Sequence, residues 1–353
     1  MKLLIIIDDL VNGGTENVLA SRLANLSKDV EVYVVTLYGL GPIADVIGKL
    51  GVKVEFIDMA KLGYRQGIKI VKGIIGRERP DLALCMRDVS RGLFPWFLKK
   101  HLPVVMFWDN PKIKRSFRQS IAEWFQVKFA NPLMYCCSNT TKKALRNAYG
   151  TREITVIPNC FDDSKFILSE NSVTADPIRI ISVGNIREEK KHAEKILIAS
   201  KLKEYYCSFK MEIIGQGDRS EILSMIKDYN LQNEVSLPGE KNDIHQHLRN
   251  SQIFLFTSHT EGFPVSLLEA MATGLPCITY QFPGLEEIDQ DFSNLEVVAQ
   301  GDIDTAVEKI IYYAENPEAR QKLGAKAAKH VAQLFSSKEN SKQWEEYLLS
   351  LMA

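Results

Sequence analysis

Apolar and polar positions along this chain fall into two regimes. Short continuous apolar runs, at Leu3 to Ile7, Val30 to Leu37, Val52 to Ile57, Leu82 to Met86 and Val104 to Trp108, are bounded by Asp, Asn, Gly and Pro. Runs of this length that are rich in β-branched residues read as strands buried on both faces. Between them lie segments with helical spacing, such as Glu16 to Leu26 and Gln66 to Arg77, the latter ending before Pro80. Tyr135 to Ser138, Asn139 to Tyr149 and Ile154 to Ile157 read as strand end, helix and strand. Ser164 to Asp176 is polar and aperiodic and reads as a linker. A second set of strands follows at Ile178 to Val183, Met211 to Ile214, Val235 to Leu237, Ile253 to Phe256 and Pro276 to Tyr280. Helices are predicted over Arg219 to Tyr229, Thr305 to Ala314, Pro317 to about Leu334, and Lys338 to Met352. Alternation of this kind predicts an α/β protein with parallel sheets.

Composition narrows the function classes. A chain of 353 residues suggests two domains, and 45% hydrophobic residues can fill two cores. The 44 basic and 44 acidic residues balance, which argues against bulk binding to nucleic acid. Six scattered cysteines with no C-x-x-C fit a reducing, cytoplasmic setting rather than a disulfide framework or a zinc site. The start, MKLLIIIDDL, does not read as a signal peptide, because its apolar run is short and acids follow it. No stretch approaches the ~18–20 apolar residues of a spanning helix, so any membrane contact is expected to be peripheral.

The most distinctive stretch is Thr257 to Thr279. After the Ile253 to Phe256 run, Glu261-Gly262-Phe263 turns the chain. Pro264 stands where a first helical residue belongs and Gly274 where a C-terminal cap belongs. Val265, Leu267, Leu268 and Met271 form an apolar face. A helix N-terminus presents unpaired N–H groups and partial positive charge, so phosphate is a natural guest, and Gly262 admits it to the backbone. Taken alone, Glu261 and Glu269 would be a loop acid and a solvated helix acid.

Glu261-Gly-Phe-Pro-Val-Ser-Leu-Leu-Glu269 as a whole resembles the two-glutamate signature of the retaining, glycogen-synthase-like family 4 (group 1) glycosyltransferases. That resemblance implies the GT-B fold: two Rossmann-like doubly wound parallel-sheet domains facing across a cleft. It divides the chain into an acceptor-side domain (1–163), a linker (164–177), a nucleotide-sugar domain (178–334), and a final helix returning to the first domain (335–353). Glu261 would lie at the transferred sugar, the amides of Gly262, Phe263, Pro264-Val265 would touch sugar and phosphate, and Glu269 would bind the ribose. Gly13-Gly14-Thr15-Glu16 is similar to the family's amino-terminal glycine pair under the donor diphosphate, with Glu16 a first-turn helix acid. Pro158-Asn159-Cys160-Phe161-Asp162 resembles its P-N-G-V-D element. In Gly184-Asn185-Ile186-Arg187-Glu188-Glu189-Lys190, Lys190 matches the lysine that holds the diphosphate. Asn185 stands where an arginine is usual, and Arg187 or Lys191 could supply that charge. The Gly215-Gln216-Gly217 turn and Leu237 complete the expected donor site. The resemblance implies a UDP-sugar donor, no metal, and a lipid-linked or cell-surface glycan acceptor at the inner membrane face.

Some features depart from the family or leave readings open. Near Asp109-Asn110 relatives carry a histidine at the transferred sugar, and here Asp109 or Asn110 stands instead; His259, near Glu261, could also touch sugar or acceptor. Phe282-Pro283-Gly284 lacks one of the usual loop glycines, and Asn294-Leu295 replaces N-G. A non-catalytic partner subunit and a sugar-nucleotide epimerase are the alternatives. Residues 91–130 hold the basic aromatic stretch, with Arg91, Phe94, Trp96, Phe97, Lys99, Lys100, Lys112, Lys114, Arg115, Phe117, Arg118, Trp124, Phe125 and Lys128. It reads either as a helix packed on its domain by Phe117, Ile121, Trp124 and Phe125, or as a surface resting on an anionic membrane. The pairs Asp289/Asp291 and Asp302/Asp304 lack the strand context of a metal motif, and His245 and His247 lack further ligands.

Overall fold

The computed structural model describes residues 1–111, 117–150, 153–169, 176–205 and 208–352. It divides into two compact units, Met1–Cys160 with Ser337–Ala353, and Phe161–Ser336. Lys112, Lys114 and Arg115, the side chains of Phe117 and Arg118, and residues 170–175 of the expected linker lie outside the description. The described part of that linker is packed: Phe166 is buried, and the Ser169 amide donates to the Thr273 carbonyl at 3.2 Å.

The first unit is built on seven strands: β1 (Lys2–Asp9), β2 (Glu31–Gly39), β3 (Lys53–Phe56), β4 (Leu82–Met86), β5 (Val104–Trp108), β6 (Leu133–Cys136) and β7 (Thr155–Val156). Their order is β3-β2-β1-β4-β5-β6-β7, with every pairing parallel. Leu3 to Ile7 are fully buried, as a central strand covered on both faces requires. Leu3 pairs with Val32 on one side and Leu82 on the other, so the winding reverses between β1 and β4. Ligands of open α/β sheets sit outside the carboxyl ends of the strands at such a reversal. Gly13-Gly14 follows β1 and Asp109 follows β5 at that edge.

The second unit has six strands: β8 (Ile178–Val183), β9 (Phe209–Ile214), β10 (Val235–Gly239), β11 (Ile253–Phe256), β12 (Cys277–Tyr280) and β13 (Glu296–Val298). The order is β10-β9-β8-β11-β12-β13, again all parallel, with the reversal between β8 and β11. The loops after these two strands carry Lys190 and Glu261. Both sheets match the alternation read from the sequence, and β13 is a strand that its short, mixed run concealed.

The final helix, Ser337–Ser350, packs in the first unit. Trp344 is fully buried, and its Nε1 donates to the Tyr135 hydroxyl at 3.1 Å. Arg22, also buried, lies over the Trp344 ring at 5.5 Å and donates to Asn340 Oδ1 at 2.8 Å and to the Pro158 carbonyl at 2.9 Å. A buried guanidinium stays tolerable because each face finds an acceptor or a ring.

The aromatic stretch corrects one expectation. The packing face of the helix Phe117–Phe125 and the wider-wound turn Gln126–Ala130 is formed by Glu123, Gln126, Val127 and Ala130. Ile121, Trp124, Phe125 and Phe129 are exposed. The buried Glu123 pairs with Arg91 at 3.2 Å, and Arg91 also donates to the Phe107 carbonyl at 2.6 Å and lies over the Trp108 ring at 5.2 Å. Arg91 and the buried Phe94 are therefore interior residues, not part of a basic surface. A polar pair inside and aromatics outside inverts the usual pattern, so the reading in which Ile121, Trp124 and Phe125 pack the helix on its domain does not hold.

Trp344→Ala is expected to cost about 3–5 kcal/mol, because it opens a large cavity and leaves Arg22 and Tyr135 short of partners. Hydrogen exchange should show this as lost protection in β1, β5 and β6, with β8, β9 and β11 unchanged.

Candidate active site

In the second unit, β8 ends at Val183, and a tight turn at Glu188–Lys190 precedes the helix His192–Tyr205. The neighbouring strand β11 ends at Phe256, and Thr257 follows it. The two loops are stitched together. The buried Thr257 hydroxyl donates to the carbonyls of Lys190 at 2.8 Å and Lys191 at 3.3 Å, and the His259 amide donates to the Glu189 carbonyl at 2.9 Å. Lys191 takes the left-handed conformation, φ 48, that turns the chain into the helix. Lys190 is thereby aimed at Glu261, and Nζ reaches Oε1 at 2.6 Å. Its ammonium also lies over the Phe256 ring at 5.4 Å. The side chains keep 18% and 13% exposure, so the pair is partly desolvated and still reachable.

The helix after Glu261 runs Val265–Ala272. Pro264 is the residue before it, with φ −75 and ψ 106, rather than its first helical residue. No side chain caps this end, so its first-turn amides are open to an anion. Phe263 is buried and packs edge-on against Phe335 at 5.3 Å. At the far end Gly274 has φ 84, and Gly324 lies so close that a Cβ there would meet the Gly274 carbonyl oxygen at 1.9 Å.

Glu269 sits on this helix without a hydrogen-bond or ion-pair partner for its carboxyl among the described residues. Desolvation, and then the negative charge of Asp162, push its carboxyl up to about 8, while Lys165 pulls the other way. Asp162 is itself paired with Lys165 at 2.9 Å. Glu261 and Glu269 thus occupy different electrostatic surroundings, one beside an ammonium and the other in an acidic corner.

The remaining expected donor residues hold the loops. The Asn185 side chain accepts from the Gln216 amide at 3.2 Å, and its carbonyl accepts from His192 Nε2 at 3.1 Å. A Cβ on Gly215 would meet the Gly184 carbonyl oxygen at 2.1 Å, and one on Gly217 (φ +133) the Ile186 carbonyl oxygen at 2.6 Å. Backbone packing alone therefore demands both glycines. The Leu237 carbonyl accepts from Arg219 at 2.9 Å. Arg187 is exposed, with no ion pair among the described residues. His259 Nε2 stands 3.6 Å from Glu194 Oε1. The acids set aside as metal pairs have local partners: Asp302 caps the helix Ile303–Glu315, and Asp289 bonds the side chain and amide of Asn294.

In the first unit, Gly13 precedes the helix Gly14–Ala24, and Glu16 folds back so that a Cβ on Gly13 would meet its Oε2 at 2.3 Å. Glu16 is buried, and desolvation pushes its carboxyl up to about 7, with Arg87 opposing. Arg87 Nη1 is 3.4 Å from Glu16 and 3.9 Å from Asp109. The Thr15 hydroxyl donates to Asp109. Burial alone would raise the Asp109 carboxyl, but Arg91, Thr15 and Arg87 outweigh it and hold it below its ordinary range. Sequence reading missed Arg87, whose only signal was a charge directly after the buried strand β4.

Two family models match this chain. Residues 163–330 match "Glycosyl transferases group 1" and residues 12–165 match "Glycosyltransferase Family 4". The amylovoran biosynthesis glycosyltransferase AmsD of Erwinia amylovora is 27% identical over 300 residues, covering 79% of this chain and 80% of that protein. AmsK of the same organism is 34% identical over 145 residues, but the match covers 38% of this chain and only 36% of AmsK. Among solved structures, Anabaena Alr3699/HepE in complex with UDP-glucose superposes with a TM-score of 0.86 at 18% identity, covering 99% of this chain and 100% of that one. The sucrose-phosphate synthase of Thermosynechococcus elongatus superposes with a TM-score of 0.80 at 16% identity, covering 99% of each chain. At such identities the likeness shows the fold.

The raised Glu269 carboxyl has a sign that can be tested. Between its ordinary value of 4.5 and about 8 the folded protein binds a proton that the unfolded chain releases, so this group lowers stability as pH rises through that window. Glu269→Gln should therefore stabilise the protein by only about 1–2 kcal/mol at pH 8, because solvent reaches the half-buried carboxyl and screens part of its charge. The gain should vanish toward pH 4.5 in melting curves taken from pH 4.5 to 8.5.

Proposed function

The chain belongs to the family 4, group 1 glycosyltransferases, and on that premise we propose that it moves a sugar from a UDP-sugar to an acceptor glycan with retention of configuration. The observation that carries this reading is the Lys190–Glu261 pair at 2.6 Å beside an uncapped helix N-terminus, at the strand-order reversal of the second unit. Breaking the bond between the anomeric carbon and the diphosphate oxygen leaves added negative charge on the nucleotide. Lys190 and the first-turn amides of Val265–Ala272 provide fixed positive charge where it develops, at little reorganisation cost. Glu261 then serves two partners: it holds Lys190 in the empty site and accepts hydroxyls of the donor sugar in the filled one. Glu269, protonated or ionised, accepts or donates to the ribose hydroxyls, which relieves its missing partner. Gly13 and Gly14 contribute backbone to the diphosphate, and Arg187 adds an exposed cation. Asp109, Asn110 and His259 are the proposed contacts to sugar or acceptor. These groups supply the charge compensation of the reaction, and nucleotide binding is expected to be independent of a divalent metal.

The acceptor is proposed to be a lipid-linked or cell-surface polysaccharide precursor, in line with the amylovoran biosynthesis for which two similar proteins are named. Among the described residues no helix is long and apolar enough to cross a membrane. Peripheral contact at the inner face of the cell membrane is proposed through Ile121, Trp124, Phe125 and Phe129. Lys99, over Trp96 at 4.2 Å, and Lys128, over Trp124 at 5.8 Å, would hold anionic headgroups beside those rings.

A thermal-shift panel tests the donor. UDP at ~100 times its dissociation constant should stabilise the fold by about 2.7 kcal/mol, with or without EDTA. Glu261→Ala should lower transfer by about 10²–10³-fold while UDP still binds, and Glu269→Ala should weaken UDP itself. Full activity in both variants would overturn the assignment. For the surface, Trp124→Ser/Phe125→Ser should abolish flotation with anionic vesicles and leave transfer to a soluble acceptor intact. Absence of salt-sensitive flotation in the unaltered protein rules the membrane contact out.

A further inference from the structure

Beneath Lys190 lies a second lysine that the proposed chemistry does not use. Lys195, in the first turn of the helix His192–Tyr205, is only 3% exposed. Its Nζ lies 3.1 Å from His192 Nδ1 and 3.4 Å from the Lys190 carbonyl. Neither partner carries a negative charge. His192 Nε2 faces the Asn185 carbonyl at 3.1 Å, which can only accept, so the imidazole proton sits on Nε2 and Nδ1 accepts from Lys195. Burial first, and then Lys195 itself, hold His192 down to about 3, so this ring stays neutral.

The charges facing Lys195 come from three elements. Lys190, on the turn Glu188–Lys190, opposes a second positive charge. Glu261, on the loop after β11, favours one but is engaged by Lys190 at 2.6 Å. Glu194, on the same helix, favours one from beside His259. Burial, followed by Lys190, pulls the Lys195 amine down to about 7. An ammonium this deep needs a carboxylate or an anion nearby, and the Glu261 carboxylate already has Lys190 as its cation.

We propose that Lys195 is a positioning residue of the donor site that takes up a proton when a nucleoside diphosphate settles against Lys190. The proposal rests on the nucleotide-sugar reading of this site. An incoming diphosphate brings at least two negative charges and cancels the repulsion from Lys190. The proton comes from solvent and the amine nitrogen becomes an ammonium, with no other bond changed. The charged form grips the Lys190 carbonyl more firmly, through a charge-assisted hydrogen bond that opposes drift of the turn. The same carbonyl already receives the Thr257 hydroxyl, so the turn bearing Lys190 is clamped from both sides.

The sign follows from linkage. Well below pH 7 the empty site already holds the proton and uptake is small. Above pH 7 the empty site lacks it and the filled site has it, so UDP affinity should fall with rising pH, by up to about 10-fold per unit. Titration calorimetry of UDP at pH 8, in buffers of different ionisation enthalpy, counts the protons directly. UDP is fully ionised there and contributes none. The unaltered protein should take up roughly half to one proton per UDP. Lys195→Met, which keeps the stem volume, should take up almost none, lose the pH slope between 7.5 and 9, and melt at a higher temperature without ligand. A purely structural lysine would move the melting temperature and leave the proton count alone. UDP binding without proton uptake in the unaltered protein, or equal uptake by Lys195→Met, overturns the proposal while leaving the donor reading in place. If Lys195→Met fails to fold, Lys195→Gln takes its place in the same buffer series, with Glu269→Gln as the control for the other carboxyl that titrates near pH 8. No binding of UDP, GDP or ADP overturns the donor reading and this proposal with it.

Discussion

The ion pair between Lys190 and Glu261 is the constraint to which the second unit is fitted. Neither side chain could find the other from sequence proximity. They meet because β8 and β11 are neighbours at the reversal of strand order, and because Thr257 and His259 tie one loop to the carbonyls of the other. A partly buried pair of this kind adds little net stability once desolvation is counted. Its value is geometric. It holds an ammonium and a carboxylate in fixed positions, which on the proposed reading would reduce the motion and solvent rearrangement that accompany transfer.

Around that pair, several groups are kept where folding alone would not put them. Glu269 has its carboxyl desolvated beside another acid, Lys195 has its amine buried near another cation, and the first turn of Val265–Ala272 is left uncapped. Each costs stability in the empty protein, and each cost is of a kind that an anionic, hydroxyl-bearing ligand would relieve. Local rules broken together at one sheet edge are the mark of a site rather than of poor packing. Glu16 and Arg87 form a smaller instance at the corresponding edge of the first unit, where a buried carboxylate sits 3.4 Å from a guanidinium.

Much of this architecture was legible in the sequence because it rests on unbroken runs. Leu3 to Ile7 and Ile253 to Phe256 can be little else than buried strands, and both lie at the centre of their sheets. Lys190, Glu261 and Glu269 could be singled out because a motif fixes their spacing. What failed depended on partners distant in sequence. Arg91 looked like one cation of a basic surface until Glu123, Phe107 and Trp108 enclosed it. Of the two readings left open for the helix, packing through Ile121, Trp124 and Phe125 fails for the same reason, since Glu123 and Gln126 are interior only because Arg91, Trp96 and Gly92 supply partners. Gly215 and Gly217 were expected as a tight turn of the donor site, and the backbones of Gly184 and Ile186 give that turn a packing reason of its own. Lys195 gave no signal at all, because a lysine in the first turn of a helix is ordinarily in water.

The return of the last helix has a consequence for how the chain is made. Arg22 and its acceptor Asn340 are separated by 318 residues, with the whole second unit between them. On the ribosome, the strands of the first unit emerge early, yet the tryptophan and asparagine that close its flank arrive only after the whole second unit. Until then Arg22 has only the Pro158 carbonyl among these partners, and the hydroxyl of Tyr135 lacks its indole. The first half of the chain must therefore wait in an unfinished form while the second half, continuous from Phe161 to Ser336, has all its own parts. Vectorial synthesis thus favours completing the second unit first, and a nascent chain stalled before Ser337 would expose an open seam for chaperones to recognise.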